Sequence, residues 1–226
     1  MRVQTQRCSD FNHPEFVLDL ENDALALHAN VLLNSIENMV AGGEVLKPGE
    51  TFQFGWLTLE IRAFDAGRLT LFEPDLRAFP IEYTPGANAA IRHMMVQLFS
   101  LDSFGIERAR MLIPKMRETV MVCDRFADAP VFFMTRNDPI NHTGDTGWYM
   151  GCMDPEHDHD TREHLECISL YEAVLKRSDI AQWIVLPTEA KVFLNRDDSP
   201  KVWLGDEKCV LQPGSFVDER VRTKIL

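Results

Sequence analysis

The chain has 226 residues, of which 45% are hydrophobic and 26% are charged, and its formal net charge is −12. This length accommodates one large domain or two of ordinary size, and the hydrophobic fraction is ample for a core. The acidic balance repels a polyphosphate backbone, which argues against nucleic acid as a partner.

The composition also indicates a cellular compartment. No stretch has the apolar length of a signal-peptide core or of a membrane span, so we expect a cytoplasmic protein with no membrane partner. The five cysteines are odd in number and lack any CxxC pair: Cys8, Cys123, Cys152, Cys167 and Cys209. They fit reduced, packed thiols better than a disulfide framework or a zinc ribbon. The sequence therefore predicts no cofactor and no bound metal.

The first half of the chain shows helix, hairpin and helix patterns in that order. Apolar residues at helical spacing predict a helix over residues 22–41 and another over residues 90–101. Between them, period-two alternation predicts a β-hairpin over residues 52–74. The alternation changes phase at Gly55-Trp56, which we interpret as a β-bulge.

The second half is richer in strand patterns. Strands are predicted over residues 119–126, 130–137 and 147–153. Asp160 followed by Glu163 resembles a capping box, so a helix is predicted to begin there. Its apolar stripe would contain Leu165, Ile168, Tyr171, Val174 and Leu175. Further short strands are predicted over residues 183–187, 190–195 and 201–206.

Together these elements predict an α+β fold of two packed α+β units, each with a small, mostly antiparallel sheet and flanking helices. The first domain would span residues 1–106 and the second residues 119–226. The segment between them, residues 107–118, is charged and interrupted by Pro114, which is typical of a connection.

The stretch TGDTGWYMGCMDPEHDHD, residues 143–160, carries most of the chemistry. In an extended chain His157 and His159 point to one side, and with His164 they could fill three positions of a zinc or iron site. The alternative function is therefore a metal-dependent hydrolase centred on these three histidines.

An acid–base pair among the neighbouring carboxylates is disfavoured because they are crowded on an open loop. The chain contains no nucleophile or phosphate-binding signature, so we predict that it is not an enzyme.

The same region is strongly acidic, with nine acids between residues 138 and 172 opposed only by Arg162. Such a surface could dock a basic partner, with aromatic side chains as anchors. The candidate partner-binding residues are Asp145, Trp148, Tyr149, Asp154, Glu156, His157, Asp158 and His159. Alternatively, Trp148 and Tyr149 alternate into and out of a core while the acids keep a loop soluble. The residues alone leave both interpretations open.

A resemblance favours the docking interpretation. The order of TRNDPINHTGDTGWYMGCMDPEHDHD and LECISLYEAVLKRSDIAQWIVLP resembles a family of bacterial immunity proteins of polymorphic toxin systems, immunity family thirty-three. The resemblance covers roughly residues 130–195. It rests on Thr135-Arg136 at a strand end, a Gly147-Trp148 strand, an acidic stretch, a Ser169-Leu170-Tyr171 helix and Leu186-Pro187 at a strand end.

The resemblance implies a small cytoplasmic protein without catalysis of its own that binds and neutralises a cognate toxin. A toxin surface facing the acidic stretch would be basic. The histidines among the acids and the long N-terminal half depart from the family pattern. The role of that half is unknown: it could bind the toxin, form a homodimer or do something unrelated.

Overall fold

The computed structural model describes residues 1–139, 144–159, 161–195 and 198–223. These residues form two compact units, Met1–Met95 and Val96–Leu226. The division falls inside a helix, Asn88–Ser103, rather than in an irregular segment. No helix among the described residues has both the length and the apolar composition needed to cross a bilayer.

The first unit contains a six-stranded sheet and a long helix. Its strands are β1 (Arg2–Gln4), β2 (Glu15–Asp19), β3 (Thr51–Phe54), β4 (Leu57–Asp65), β5 (Arg68–Pro74) and β6 (Tyr83–Pro85), and its helices are α1 (Ala26–Ala41) and the first half of α2 (Asn88–Ser103). The sheet order is β1-β2-β5-β4-β3, with β6 also pairing with β5. The β2–β5 pair is parallel and the other described pairs are antiparallel.

Helix α1 confirms the prediction from apolar spacing, although it begins later than expected. It starts at Ala26 after a single 3-10 turn, Asp23–Leu25. Its inward face buries Leu32 and Ile36 completely. Gly43 follows the helix with a φ of 94°, a left-handed conformation that glycine adopts without strain.

The predicted bulge at Gly55-Trp56 is wrong. The two residues form a turn between β3 and β4, which pair antiparallel with Phe54 opposite Leu57. The phase of the alternation changes there because the chain reverses direction, and Gly55 with φ 59° permits the tight turn. The hairpin of β4 and β5 is present as predicted.

The second unit contains a seven-stranded sheet. Its strands are β7 (Thr119–Cys123), β8 (Val131–Arg136), β9 (Asp145–Cys152), β10 (Leu165–Ser169), β11 (Ala190–Asn195), β12 (Asp198–Leu204) and β13 (Glu207–Cys209), and its further helices are α3 (Leu170–Lys176) and α4 (Phe216–Thr223). The sheet order is β10-β7-β9-β8-β11-β12-β13. Strands β7 and β9 run parallel, whereas the other described pairs are antiparallel.

The α+β class is therefore confirmed, and most strand pairs are antiparallel as predicted, but the sheets are larger than predicted and are mixed. The sheets are mixed, with six and seven strands, and each contains a parallel pair. A parallel pair needs a crossover and unites segments far apart in the chain, so a pattern read along neighbouring residues does not reveal it.

The helix predicted from Asp160 is also wrong, and Asp160 itself lies outside the described residues. Residues 165–169 form β10, which pairs antiparallel with β7. Helix α3 begins only at Leu170, where the Ser169 hydroxyl accepts a hydrogen bond of 3.1 Å from the backbone N–H of Glu172. This is the serine start that the family resemblance implied.

Residues 183–187 were predicted as a strand, and they form a buried irregular segment instead. Its carbonyl groups accept hydrogen bonds from the side chains of Trp148 and Arg136. Side-chain donors thus replace the strand partner that these backbone groups would otherwise need.

Candidate functional site

Strand β9 carries Trp148 and Tyr149, two of the candidate partner-binding residues. Its side chains alternate between the core and the open face of the sheet, so Trp148 is buried and its neighbour Tyr149 is half-buried. Trp148 is 1% exposed, and its indole Nε1 donates a 2.9 Å hydrogen bond to the Ile184 carbonyl. Contrary to its place among the predicted partner-binding residues, Trp148 packs inside the second unit.

Arg136, at the end of β8, is a buried hub beside Trp148. Its guanidinium donates to the carbonyl groups of Thr146, Leu112 and Leu186 at 3.0, 2.7 and 2.6 Å. Burial lowers the pKa of Arg136 to about 10. The side chain therefore ties three separate segments together, and its charge is solvated by backbone dipoles.

The position directly before Trp148, Gly147, leaves no room for a side chain. Its φ is 74°, and a Cβ at this position would lie 2.0 Å from the carbonyl oxygen of Asn137. The Asn137 N–H also donates to the Gly147 carbonyl at 2.9 Å. The Gly147-Trp148 pattern of the family resemblance is thus a packing requirement of β8 and β9.

Aromatic side chains form a row across the open face of the sheet, defined here as Tyr149, Phe133, Phe193 and Trp203. Successive ring centroids are 5.6, 6.2 and 5.2 Å apart, within the range of favourable aromatic pairs. All four rings are half-buried. Of these four residues, only Tyr149 is among the partner-binding candidates predicted from the sequence. The period-two alternation of the sequence also indicates Phe133, Phe193 and Trp203, because these residues occupy the strand positions that alternate with the buried ones.

A cleft of about 490 Å³ lies at the far end of this aromatic row. It is lined by Phe193 and Trp203 together with Lys191, Lys201 and Asp206. Lys208 also lies over the Trp203 ring, 5.6 Å from its centroid. Lys191 and Lys201 pair there with Asp206 and Asp198 at 3.9 and 2.8 Å, so this end of the sheet face carries charges of both signs, whereas the loop that follows β9 is acidic.

That loop, residues 153–159, is called the acidic loop below. Asp154, Glu156 and Asp158 are all exposed, as expected for a docking surface and equally for a solvated loop. Asp154 forms a 2.7 Å ion pair with Arg125. The backbone N–H of Glu156 and the Arg125 guanidinium hold the pKa of Asp154 below its ordinary value. The Asp158 carboxylate accepts a hydrogen bond from the Thr161 hydroxyl.

Asp145 lies apart from the acidic loop. It begins β9, whereas the loop follows Cys152 at the other end, so seven residue steps of roughly 3.3 Å place Asp145 about 23 Å from the point where the loop begins. Its carboxylate accepts a 2.9 Å hydrogen bond from the Gly147 N–H. Asp145 and the loop acids are consequently not members of one continuous patch.

The histidines of the acidic loop turn inward. The His157 side chain is only 1% exposed, and its Nδ1 lies 3.2 Å from Cys152 Sγ. His159 is half-buried, with Nε2 at 3.5 Å from the same sulfur and Nδ1 at 2.8 Å from the Tyr149 hydroxyl. The prediction that His157 belongs to a partner-binding surface conflicts with this burial.

A carboxylate lies behind His157. Asp124 Oδ1 is 2.9 Å from His157 Nε2, and its Oδ2 is 3.0 Å from His164 Nδ1. The hydrogen bond from His164 holds the pKa of Asp124 below its ordinary value.

The three histidines weighed as a metal site are therefore neighbours but not one ligand set. They belong to two separate groups among the described residues. Within each group, the possible ligand atoms lie within 4.8 Å of one another. One group joins His157 and His159 to Cys123, and the other joins His157 and His164 to Asp124. His157 is common to both, and Cys123 was assigned only a packing role from the sequence.

Comparison with known proteins supports the family resemblance over the second unit. Residues 101–205 match the model of the Imm33-like domain. No curated protein and no solved structure matches the chain. The matched segment includes Arg136, Gly147, Trp148, Ser169 and Leu186, all of which have the structural roles described above.

Proposed function

Because residues 101–205 form an Imm33-like domain, we propose that the protein is a bacterial immunity protein that binds and neutralises a cognate toxin in the cytoplasm. The domain match is the observation that carries this proposal. Neutralisation would need binding alone, with the toxin blocked at or near its active site and no catalysis by this chain.

The proposed contact surface is the acidic loop together with the adjoining end of the aromatic row. Asp154, Glu156 and Asp158 are exposed there, and they suit a toxin with a basic surface. Tyr149 lies next to the loop because its hydroxyl contacts His159. Half-buried rings beside exposed charges provide apolar area at the centre and charges at the rim, the usual arrangement of an interface.

The two parts of the surface would act on different steps of binding. Exposed carboxylates chiefly accelerate encounter with a basic partner, and salt screens this effect over about 8–10 Å. Rings that become fully desolvated chiefly slow dissociation.

The test is the kinetics of binding to the product of an adjacent toxin gene, measured over a range of salt concentrations. The variant Asp154→Asn/Glu156→Gln/Asp158→Asn should associate more slowly at low salt and show a flatter salt dependence. A matched control removes the same charge from exposed acids of the first unit, by Asp10→Asn/Asp23→Asn/Glu44→Gln.

The possible results test the immunity function and the proposed contact surface separately. Failure of the unmodified protein to bind the toxin or to protect cells that produce it would refute the immunity function. Binding in which both triple variants associate at the original rate would retain the function and exclude the acidic loop. Phe193→Ala and Trp203→Ala would then test the other end of the aromatic row.

A further inference from the structure

We propose that Cys123, Cys152, His157 and His159 form a tetrahedral binding site for Zn²⁺ at the edge of the second sheet. The proposal is independent of the immunity function. It contradicts the expectation of no metal that the cysteine spacing alone had suggested.

The distances between ligand atoms carry the argument. With Zn–S near 2.3 Å and Zn–N near 2.05 Å, a tetrahedral site places its ligand atoms about 3.3–3.8 Å from one another. Cys152 Sγ lies 3.2 Å from His157 Nδ1 and 3.5 Å from His159 Nε2. The ligand atoms of Cys123, His157 and His159 lie within 4.8 Å of one another, so bringing these three to tetrahedral separations shortens any pair by at most about 1.5 Å.

The outer nitrogens of both imidazoles already have the partners expected around a metal. Ligating histidines generally direct their second nitrogen at a carboxylate, a carbonyl or another polar group, which fixes the tautomer and the ring orientation. His157 Nε2 lies 2.9 Å from Asp124 Oδ1, although the contact is not a well-directed hydrogen bond. His159 Nδ1 lies 2.8 Å from the Tyr149 hydroxyl.

Charge and burial favour zinc over a hard cation. Cys123, Cys152 and His157 are buried, and two thiolates would balance the charge of one divalent ion, so the filled site would be neutral. Thiolate and imidazole ligands select zinc, whereas calcium and magnesium prefer oxygen. Burial raises the pKa of the Cys123 thiol, and the backbone N–H of Cys152, which donates to Cys123 Sγ at 3.2 Å, offsets part of that effect.

Four protein ligands leave no open coordination position, so the site would be structural rather than hydrolytic. The ion would connect the ends of β7 and β9 to the acidic loop. Binding would release two protons, one from each thiol, as the two Zn–S bonds form.

The experiment uses the full chain without a histidine tag, under reducing conditions, with Zn²⁺ alone as the probe. We expect one zinc per chain, and we expect a chelator to lower the melting temperature because the ion stabilises only the folded state. Cobalt substitution should produce thiolate-to-cobalt charge-transfer absorption and the visible bands of a tetrahedral site. Cys152→Ser and His159→Gln should each weaken zinc binding at least about 100-fold, more than loss of an outer partner does.

The controls distinguish this site from the second group of ligands. Cys167→Ser changes an exposed cysteine on β10 and should leave the affinity unchanged. Loss of zinc in Asp124→Asn/His164→Gln but not in Cys152→Ser would overturn the proposal in favour of the more open group. Sub-stoichiometric zinc, or cobalt spectra without thiolate bands, would overturn it outright. The cobalt spectrum of the unmodified protein decides the matter even if a cysteine variant fails to fold.

Discussion

The indole Nε1 of Trp148 donates its hydrogen bond to the carbonyl of Ile184, 36 residues further along the chain. Arg136 donates to the same carbonyl at 3.2 Å. One backbone group thus joins β8, β9 and the buried segment at residues 183–187. The positions of Arg136 and Trp148 are therefore explained by packing within the second unit.

Replacement of Trp148 should consequently affect stability and leave toxin recognition intact. Trp148→Phe removes a buried hydrogen bond and part of a buried ring, so we expect a loss of about 1–3 kcal/mol in the free energy of unfolding. Urea denaturation measures the loss, and association kinetics should match those of the unmodified protein. Trp183→Phe, at a second buried indole of the same unit, is the matched control, because no described residue accepts a hydrogen bond from the Trp183 Nε1. A Trp148→Phe variant of full stability that binds the toxin poorly would assign the ring to the interface after all.

Gly147→Ala and Gly144→Ala separate backbone strain from steric conflict. Both glycines have positive φ, 74° and 88°, so alanine costs about 1–2 kcal/mol at either position. Only Gly147 has a neighbour within 4 Å of an added Cβ, the Asn137 carbonyl region. We therefore expect Gly147→Ala to destabilise the protein by at least about 3 kcal/mol in total. Equal losses in the two variants would show that β8 moves aside easily.

His93 should make the first unit sensitive to acid. Burial lowers its pKa to about 4, and its ring packs against Trp56 with centroids 5.6 Å apart. The unfolded chain, with a histidine pKa near 6.5, binds the proton more readily. The stabilisation that the neutral, buried His93 contributes is therefore complete above about pH 6.5 and is lost as the pH falls towards 4. The free energy of unfolding should fall by at most about 3 kcal/mol through this residue, because its ring retains some access to solvent.

The check for His93 is the free energy of unfolding of His93→Gln and of the unmodified protein from pH 8 to pH 4. The substitution should lower stability at pH 8 through lost packing, yet flatten the decline below pH 6.5. Parallel curves would assign the acid sensitivity to other groups.

The extent of the second domain leads to a prediction about fragments. Gln97, on α2, donates a 2.7 Å hydrogen bond to the Ala181 carbonyl, and the Phe104 ring lies 5.8 Å from Trp183. A fragment beginning at residue 96 retains these contacts, whereas the domain predicted from sequence, residues 119–226, lacks them. We expect the longer fragment to unfold cooperatively and the shorter one to aggregate or remain unfolded. Comparable melting curves for the two would support the boundary predicted from the sequence.

Local patterns predicted five of the seven strands of the second unit, β7, β8, β9, β11 and β12, but neither β10 nor β13. The alternation in β8, β9 and β11 follows directly from the two-residue period of a strand. The start of α3 was misplaced because Leu165 and Ile168 also fit a helical stripe. Their actual partner is β7, more than 40 residues earlier, and that pairing leaves no local trace.

The Cys–His cluster was missed for a similar reason. Cys123 and Cys152 are 29 residues apart, and they meet because β7 and β9 run parallel and end at the same edge. Spacing rules for zinc sites look for paired cysteines in one loop and do not detect ligands joined by a sheet. The loop histidines were identified from the sequence, but their inward orientation required the structure.

The parallel pairing of β7 with β9 also has a consequence for the order of folding. The hairpin of β8 and β9 joins nearby residues and can form early, whereas β7 must close a longer loop before it reaches β9. The edge where Cys123 meets the acidic loop therefore arises late. A newly made chain would acquire its helices and hairpins before this edge, so the acidic loop would reach its final position among the last parts of the second unit.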